Sequence, residues 1–170
     1  LEELAARLQL SPWQLHRNFK RATGLTPKAY AKAHRGQYVR AALQTTQSQS
    51  VTDAAYLSGY EASSSFYKDA SAMLGMPPQS YRNRGQHQTI RFALAECSLG
   101  SLLVASTDKG VCCVLLGDDA QALVEDLQSR FAAAELIGAD AKYEKTVAQV
   151  VALMEQPRLG LTLPLDVQGT

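Results

Sequence analysis

Gly24-Leu25-Thr26-Pro27-Lys28-Ala29-Tyr30 is echoed 51 residues later by Gly75-Met76-Pro77-Pro78-Gln79-Ser80-Tyr81. Upstream, Leu4-Ala5 lies 50 residues before Ala54-Ala55, a difference that one extra residue in the second copy's turn absorbs. The first half of the chain is therefore an internal repeat, and each copy reads as helix, turn, helix. In the first copy Leu1, Leu4, Ala5 and Leu8 recur at helical spacing. Ser11 is suited to cap the next helix and Pro12 to open it. Leu15, Phe19 and Ala22 form its apolar stripe, and Gly24 closes it. In the second copy Val51, Ala54, Ala55 and Ser58 precede a turn at Gly59-Tyr60-Glu61. A helix from about Ser63 follows, with Phe66, Ala70 and Met73 inside and Gly75 at its end. Between the copies, Pro27 opens a long helix through Tyr30, Ala33, Tyr38, Ala41 and Leu43, which ends in the polar stretch 45–50.

Taking Leu15 as the centre of the buried stripe, at roughly 100° per residue, puts Phe19 and Ala22 within about 40° of it. Trp13, Arg17 and Lys20 then face the other way, with His16 at the flank. In the second copy, taking Phe66 as the centre puts Ser64, Lys68 and Ser71 opposite, with Tyr67 at the flank. A charged outer face alone is an ordinary solvated face. Trp13 is different, because a large aromatic side chain opposite the apolar stripe has no core to fill. A short helix that turns Trp, His, Arg and Lys outward suits a DNA major groove. Arg forks to guanine acceptors, Lys meets phosphate or guanine, and an aromatic edge packs on sugar or a thymine methyl.

The charge distribution agrees. The formal net charge is only +1, but residues 1–88 carry 11 Lys and Arg against 5 Asp and Glu, and residues 89–170 carry 6 against 11. A basic segment is joined to an acidic one, and the basic one is the candidate for nucleic-acid contact. With 46% hydrophobic and 19% charged residues, the chain has the composition of folded domains rather than of a disordered tail or a coiled coil. No apolar run approaches the length of roughly 18 residues that a membrane-spanning helix needs.

These residues resemble the AraC-type DNA-binding domain, an all-α fold in which a long helix joins two helix-turn-helix units. The pattern is carried by Leu4-Ala5, Ser11, Leu15, Phe19-Lys20, Gly24, Thr26-Pro27 and Tyr30. It returns in Gly59-Tyr60, Ser64, Phe66, Gly75, Pro78 and Tyr81-Arg82. It covers about residues 1–84, with the family's first helix expected before Leu1. The family's Phe-Lys pair is Ala70-Ser71 in the second unit, and Tyr60 stands where Phe is usual. The first unit is therefore expected to carry more of the base readout and affinity. By position, the resemblance implies base-reading roles for Trp13, His16, Arg17, Ser64, Tyr67 and Lys68. It implies phosphate contacts for Lys20, Arg35, Arg40 and Arg82. It further implies double-stranded operator DNA read in successive major grooves, RNA polymerase as a second partner, a monomer, and a cytoplasmic bacterial location.

Residues 85–89, Gly85-Gln86-His87-Gln88-Thr89, read as a polar linker with His87 exposed on it; a metal role for His87 lacks neighbouring ligands. Beyond the linker the hydrophobic period changes. Residues 90–95, 102–105 and 111–116 read as strands, with turns at Ser98-Leu99-Gly100 and Thr107-Asp108-Lys109-Gly110. Turns this short favour an antiparallel meander. The third strand is a continuous apolar run, which reads as a central strand covered on both faces. Asp118-Asp119 then caps a helix bearing Leu123, Leu127 and Phe131. A second helix bears Tyr143, Val147, Val150, Val151 and Met154 and ends at Pro157, and residues 161–167 read as a final strand. The whole is a multi-domain chain, all-α followed by α+β.

Four acids and three cysteines are the remaining candidates for chemistry. Asp118 and Asp119 sit at a helix N-terminus, where the dipole favours them. Glu125 and Asp126 fall on that helix's exposed side, so structural roles cover all four. GxGxxG, P-loop, HExxH and nucleophile-elbow motifs are absent. Cys97, Cys112 and Cys113 are an odd count without CxxC spacing. Adjacent cysteines in a strand point to opposite faces, so they read as apolar strand residues in a reducing compartment rather than a disulfide framework.

Ile90-Arg91-Phe92-Ala93, Gly100-Ser101-Leu102-Leu103-Val104-Ala105, Gly110-Val111-Cys112 and Leu116-Gly117-Asp118-Asp119 resemble the N-terminal, ribonuclease-H-like domain of methylated-DNA–protein-cysteine methyltransferases. Residues 161–170 are similar to the segment that enters the catalytic domain of those enzymes, which is expected to start at or beyond Thr170. The order of parts resembles that of the Ada-type family of bifunctional alkylation-response regulators. The resemblance implies a sequence-specific transcription regulator, an activator, within a protein that also repairs O6-methylguanine in DNA. It places zinc and one methyl-accepting cysteine in an N-terminal domain and a Pro-Cys-His-Arg acceptor in a C-terminal one. The chain reads as an excerpt with neither part. None of its cysteines has a Pro-Cys-His context, so no catalytic residue, metal ligand or cofactor is assigned within it, and the excerpt is expected to bind DNA without repairing it. Two other readings stand beside this one. Residues 90–170 as a small-molecule sensor would need an enclosed apolar pocket with a few convergent polar groups. The same region as an independent enzyme would need clustered groups of perturbed pKa.

Overall fold

The computed structural model describes residues 1–44, 50–140 and 143–155. α1 (Glu2–Arg7) and α2 (Pro12–Thr23) make the first helix-turn-helix unit, and α3 (Pro27–Gln44) is the long connector. α4 (Val51–Leu57) and α5 (Ser63–Leu74) make the second unit, followed by the short α6 (Pro78–Arg82). Local chemistry sets the helix ends. Ser11 Oγ accepts from the Gln14 amide at 3.2 Å while Gln14 Oε1 accepts from the Ser11 amide at 2.9 Å. This reciprocal cap satisfies two donors at the start of α2. Ser50 caps α4 by accepting from the Asp53 amide at 3.0 Å. Gly24 and Gly75 end α2 and α5 in the left-handed conformation, at φ 76° and 64°.

Two apolar faces differ from the sequence expectation. Of Leu1, Leu4, Ala5 and Leu8, only Ala5 is buried. α1 packs against α2, and one neighbour covers one strip of a helix, so the three leucines stay about half exposed. On α3 the buried residues are Gly36, Val39, Arg40 and Leu43, whereas Tyr30, Ala33, Tyr38 and Ala41 are exposed. The buried side of α3 is chosen by the helices that dock on it, α4 above all, and Ala and Tyr tolerate either environment.

Among the described residues, the second half is a four-stranded sheet with helices on both faces. β1 (Thr89–Cys97), β2 (Gly100–Thr107) and β3 (Gly110–Gly117) form the expected antiparallel meander, followed by α7 (Ala120–Arg130). β4 (Glu135–Gly138) then pairs parallel to β1, and α8 (Glu144–Glu155) follows. The order is β3-β2-β1-β4, so β3 is at one edge and β2, one of the two inner strands, is the continuously buried one. β3 is nevertheless covered on both sides. Leu115 and both adjacent cysteines join one buried cluster with α7, and Val111 and Val114 join another with Tyr143, Val147 and Val150. The register slips between Ala105 and Ser106, leaving Cys112 as the extra residue of a bulge. That slip is why Cys112 and Cys113 lie in the same cluster instead of on opposite faces. The strand read at 161–167, Pro157 and residues 45–49 of the polar stretch lie outside the described residues.

The two halves pack directly. Phe66, Leu74, Met76 and Tyr81 share one buried cluster with Ile90, Leu103, Leu115, Leu127 and Phe131. The segment read as a linker is a compact turn within this seam. Gly85 is buried at φ 82°, its amide donates to Ser80 O at 2.8 Å, and a Cβ on it would lie 2.7 Å from that of Ala134. Tyr81 meets Phe131 edge to face at 5.7 Å, and the Arg84 guanidinium donates to Ser129 O at 2.5 Å. No described helix is long and apolar enough to cross a membrane.

Candidate nucleic-acid interface

α2 has one buried residue, Leu15, with Phe19 half-buried beside it and in edge contact with Tyr30 of α3 at 5.3 Å. Everything opposite Leu15 is open. Trp13 is 66% exposed, and His16, Arg17, Lys20 and Arg21 are exposed with it. These five side chains line a shallow hollow of about 540 Å³. The Arg17 guanidinium carbon lies 5.2 Å from the Trp13 ring centroid, inside cation–π range. The face is cationic and aromatic, and α2 contains no carboxylate. The structure thus brings together the four residues of the first unit that the sequence picked out, and it adds Arg21. The signal for Arg21 was its i, i+4 spacing from Arg17 and hence from Trp13, which keeps all three on adjoining turns.

The second unit is built differently. Phe66, Ala70 and Leu74 are fully buried on α5. Ser64 is exposed and Tyr67 is 50% exposed, its ring edge-on to Phe66 at 5.3 Å. Lys68 lies on the same helix; its side chain is outside the described atoms. The described outward residues of α5, Ser64 and Tyr67, are uncharged, and Ala70 is fully buried. α5 is tied to α3 by an exposed ion pair, Lys32 Nζ to Asp69 Oδ1 at 3.2 Å.

The four residues expected to touch phosphate divide. Lys20 stands exposed on the α2 face. Arg35 is exposed, with its guanidinium 5.0 Å from the centroid of the buried Tyr60 ring, at the turn of the second unit. Arg82 is half-buried at the end of α6. Arg40 does not fit the expectation. It is 3% exposed and donates from Nη2 to Met73 O at 2.8 Å, bridging α3 to α5. Burial lowers its pKa to about 10, so it is still a cation near neutral pH, spent on a main-chain carbonyl inside the fold. Its charge pattern on α3 looked superficial because nothing local to α3 says that α5 will cover it.

The other candidates have structural partners. Asp119 Oδ1 accepts from the Gln121 amide at 2.9 Å, Glu125 accepts from Gln121 Nε2 at 3.1 Å, and Asp126 pairs with Arg130 at 2.8 Å. Burial pushes the Cys113 thiol up to about 11 and the Cys112 thiol higher still, so both are protonated near neutral pH and poor nucleophiles. Cys97 Sγ lies 3.3 Å from Gly100 O. His87 is exposed, at φ 61°.

Comparison with known proteins matches residues 4–84 to the helix-turn-helix domain family. The match spans both helix-turn-helix units and the connecting helix α3. Over all 170 residues the chain is 42% identical to the bifunctional transcriptional activator/DNA repair enzyme Ada of Escherichia coli (strain K12), covering 48% of that protein. It is 40% identical over 98% of its length to the regulatory protein ada of Salmonella typhimurium, covering 47% of it. Over 44% of the chain it is 39% identical to the melibiose operon regulatory protein of Escherichia coli, covering 24% of that protein. The chain spans about half the length of the two relatives that match it throughout.

Proposed function

We propose that this chain binds double-stranded DNA sequence-specifically and forms part of a transcription regulator, an activator, of the bacterial response to DNA alkylation. The observation that carries the reading is the outer face of α2. Trp13, His16, Arg17 and Lys20 are all exposed opposite buried Leu15, on a chain that is 42% identical over its whole length to an Ada relative. α2 reads bases in one major groove and α5, through Ser64, Tyr67 and Lys68, reads the next, about one helical turn away. Two reading units on one chain favour a monomer, with RNA polymerase as the second partner and the cytoplasm as the location.

The sheet half is read as the ribonuclease-H-like domain of a methylated-DNA–protein-cysteine methyltransferase. Its β3-β2-β1-β4 order, with β4 parallel to β1 and α7 lying between β3 and β4 in sequence, supports that reading. The repair chemistry of such a protein is assigned outside this chain. Thiols raised by burial are the wrong state for attack on a methyl carbon, and none of them has the Pro-Cys-His neighbourhood. Among the described residues no three His, Cys, Asp or Glu cluster. The sensor alternative has less support. A hollow of about 630 Å³ between β1 and α8, lined by Ala93, Leu94, Ala95, Val147 and Val151, is open, with Asp140 and Glu144 on its wall.

Affinity for duplex DNA should fall steeply with salt, because neutralised phosphates release counterions; a flat dependence would overturn the assignment of the basic face. With O6-methylguanine duplex no stoichiometric methyl uptake is expected, and uptake would overturn the assignment of the acceptor elsewhere.

A further inference from the structure

We propose that Trp13 is a positioning residue for Arg17: the indole holds the guanidinium at the place on α2 where a base edge is read, and so sets the preference at that base pair. The proposal rests on α2 being the groove-entering helix. Trp13 and Arg17 stand one turn apart, so their side chains are neighbours on the helix surface, and the guanidinium carbon sits 5.2 Å from the ring centroid. Core packing does not explain Trp13, which is 66% exposed and belongs to neither buried cluster. α2 offers no carboxylate to hold Arg17 instead.

The choice of partner matters for readout. A carboxylate would occupy the in-plane N–H donors of the guanidinium, the same donors that fork to guanine O6 and N7. An aromatic ring attracts the cation through its quadrupole and leaves donors available. An exposed arginine otherwise samples many rotamers, which docking must freeze. A ring that already restrains the side chain lowers that cost before DNA arrives.

Trp13 is the sole tryptophan in the chain, so its fluorescence reports this pairing in the DNA-free protein. Arg17→Ala should shift or brighten the emission of the free chain, with the melting temperature unchanged. An emission that ignores residue 17 would overturn the proposal. The second arm uses duplexes chosen by the wild-type chain from a randomised pool spanning about two helical turns. Trp13→Ala should reduce discrimination at the Arg17 base pair by about 3- to 30-fold. Trp13→Phe should retain most of it, Trp13→Leu should not, and the double variant should be no worse there than Arg17→Ala alone. Preference at that base pair unchanged in Trp13→Ala, or losses that simply add, would overturn positioning. A wild-type chain that selects no duplex would overturn the groove reading and this proposal with it; selection that ignores Trp13 overturns the proposal alone.

Discussion

The two helix-turn-helix units share a sequence pattern and are buried unequally. In the first, Ala5 and Leu15 are the buried hydrophobic residues of α1 and α2, and neither joins an extended cluster. Its outer face carries Trp13, His16, Arg17, Lys20 and Arg21. In the second, Val51, Ala54, Ala55, Tyr60, Phe66, Ala70, Leu74 and Met76 belong to a cluster that runs on into the sheet, and Ser64 and Tyr67 are exposed on the outer face. A helix that must meet DNA with many side chains has few left for its own core. A helix continuous with a large core can afford a modest DNA face. The first unit thus has the more exposed face and the second the larger core.

The largest effect should separate the two cores. Phe66→Ala removes a fully buried ring from the shared cluster and should cost about 3–5 kcal/mol. Leu15→Ala, at a site with a thin surround that opens to water, should cost about 2 kcal/mol, the low end for such truncations. Urea denaturation measures both. Equal costs, or a larger one for Leu15, would break the contrast between anchored and exposed units.

The helix-ending glycines sharpen it next. Gly24 and Gly75 are both left-handed, so alanine at either meets the same backbone penalty of about 1–2 kcal/mol. A Cβ on Gly24 would meet nothing within 4 Å, whereas one on Gly75 would lie 2.6 Å from Val111 O. Gly75→Ala should therefore add an overpacking cost of about 1–3 kcal/mol that Gly24→Ala does not have. Thermal melts showing the same loss for both would mean that α5 and β3 can part without penalty.

That pair also marks where the sequence stops being legible. Both glycines, the Ser11 cap, the outward Trp13 and the meander turns were readable because each depends on residues a few positions apart. The strand β4 was not. It is four residues long, and its pairing with β1 joins positions 46 apart, such as Thr89 and Glu135. The apolar run of β3 could not distinguish a central strand from an outer one covered on both faces. Arg40 was misplaced for the same reason: whether a cation on α3 meets solvent or Met73 O depends on α5, which no window on α3 contains. The outward placement of Trp13, His16, Arg17 and Lys20 on α2 was legible, since a helix face is a local property.

On DNA the ranking should reverse. Arg17→Ala should cost about 1–3 kcal/mol and relax the preference at one base pair. Ser64→Ala on the second unit should cost about 0.5–1.5 kcal/mol, the worth of one neutral hydrogen bond. Titration against single-base variants of a selected duplex separates them. Uniform weakening by Arg17→Ala over all variants would make Arg17 a phosphate contact, and a larger loss for Ser64→Ala would move the main readout to the anchored unit.

The smallest effect concerns how each recognition helix begins. α2 starts with the reciprocal Ser11–Gln14 cap, while α5 starts at Ala62 without a side-chain cap. The exposed helix has little tertiary packing to hold its first turn, so the local bond matters there, and Ser11→Ala should cost about 1 kcal/mol. α5 already has Phe66, Ala70 and Leu74 locked in the core, and its first turn is the part left to local chemistry. Ala62 has the extended backbone of a cap residue, φ −137° and ψ 136°, so Ala62→Ser can accept from the amides of the first turn without strain. A gain of about 0.5–1 kcal/mol is expected, read as a higher urea midpoint with unchanged slope. A loss at Ala62→Ser would mean that this first turn is held by contacts that a hydroxyl disturbs, and that the second unit is anchored at both ends of its helix rather than along its inner face alone.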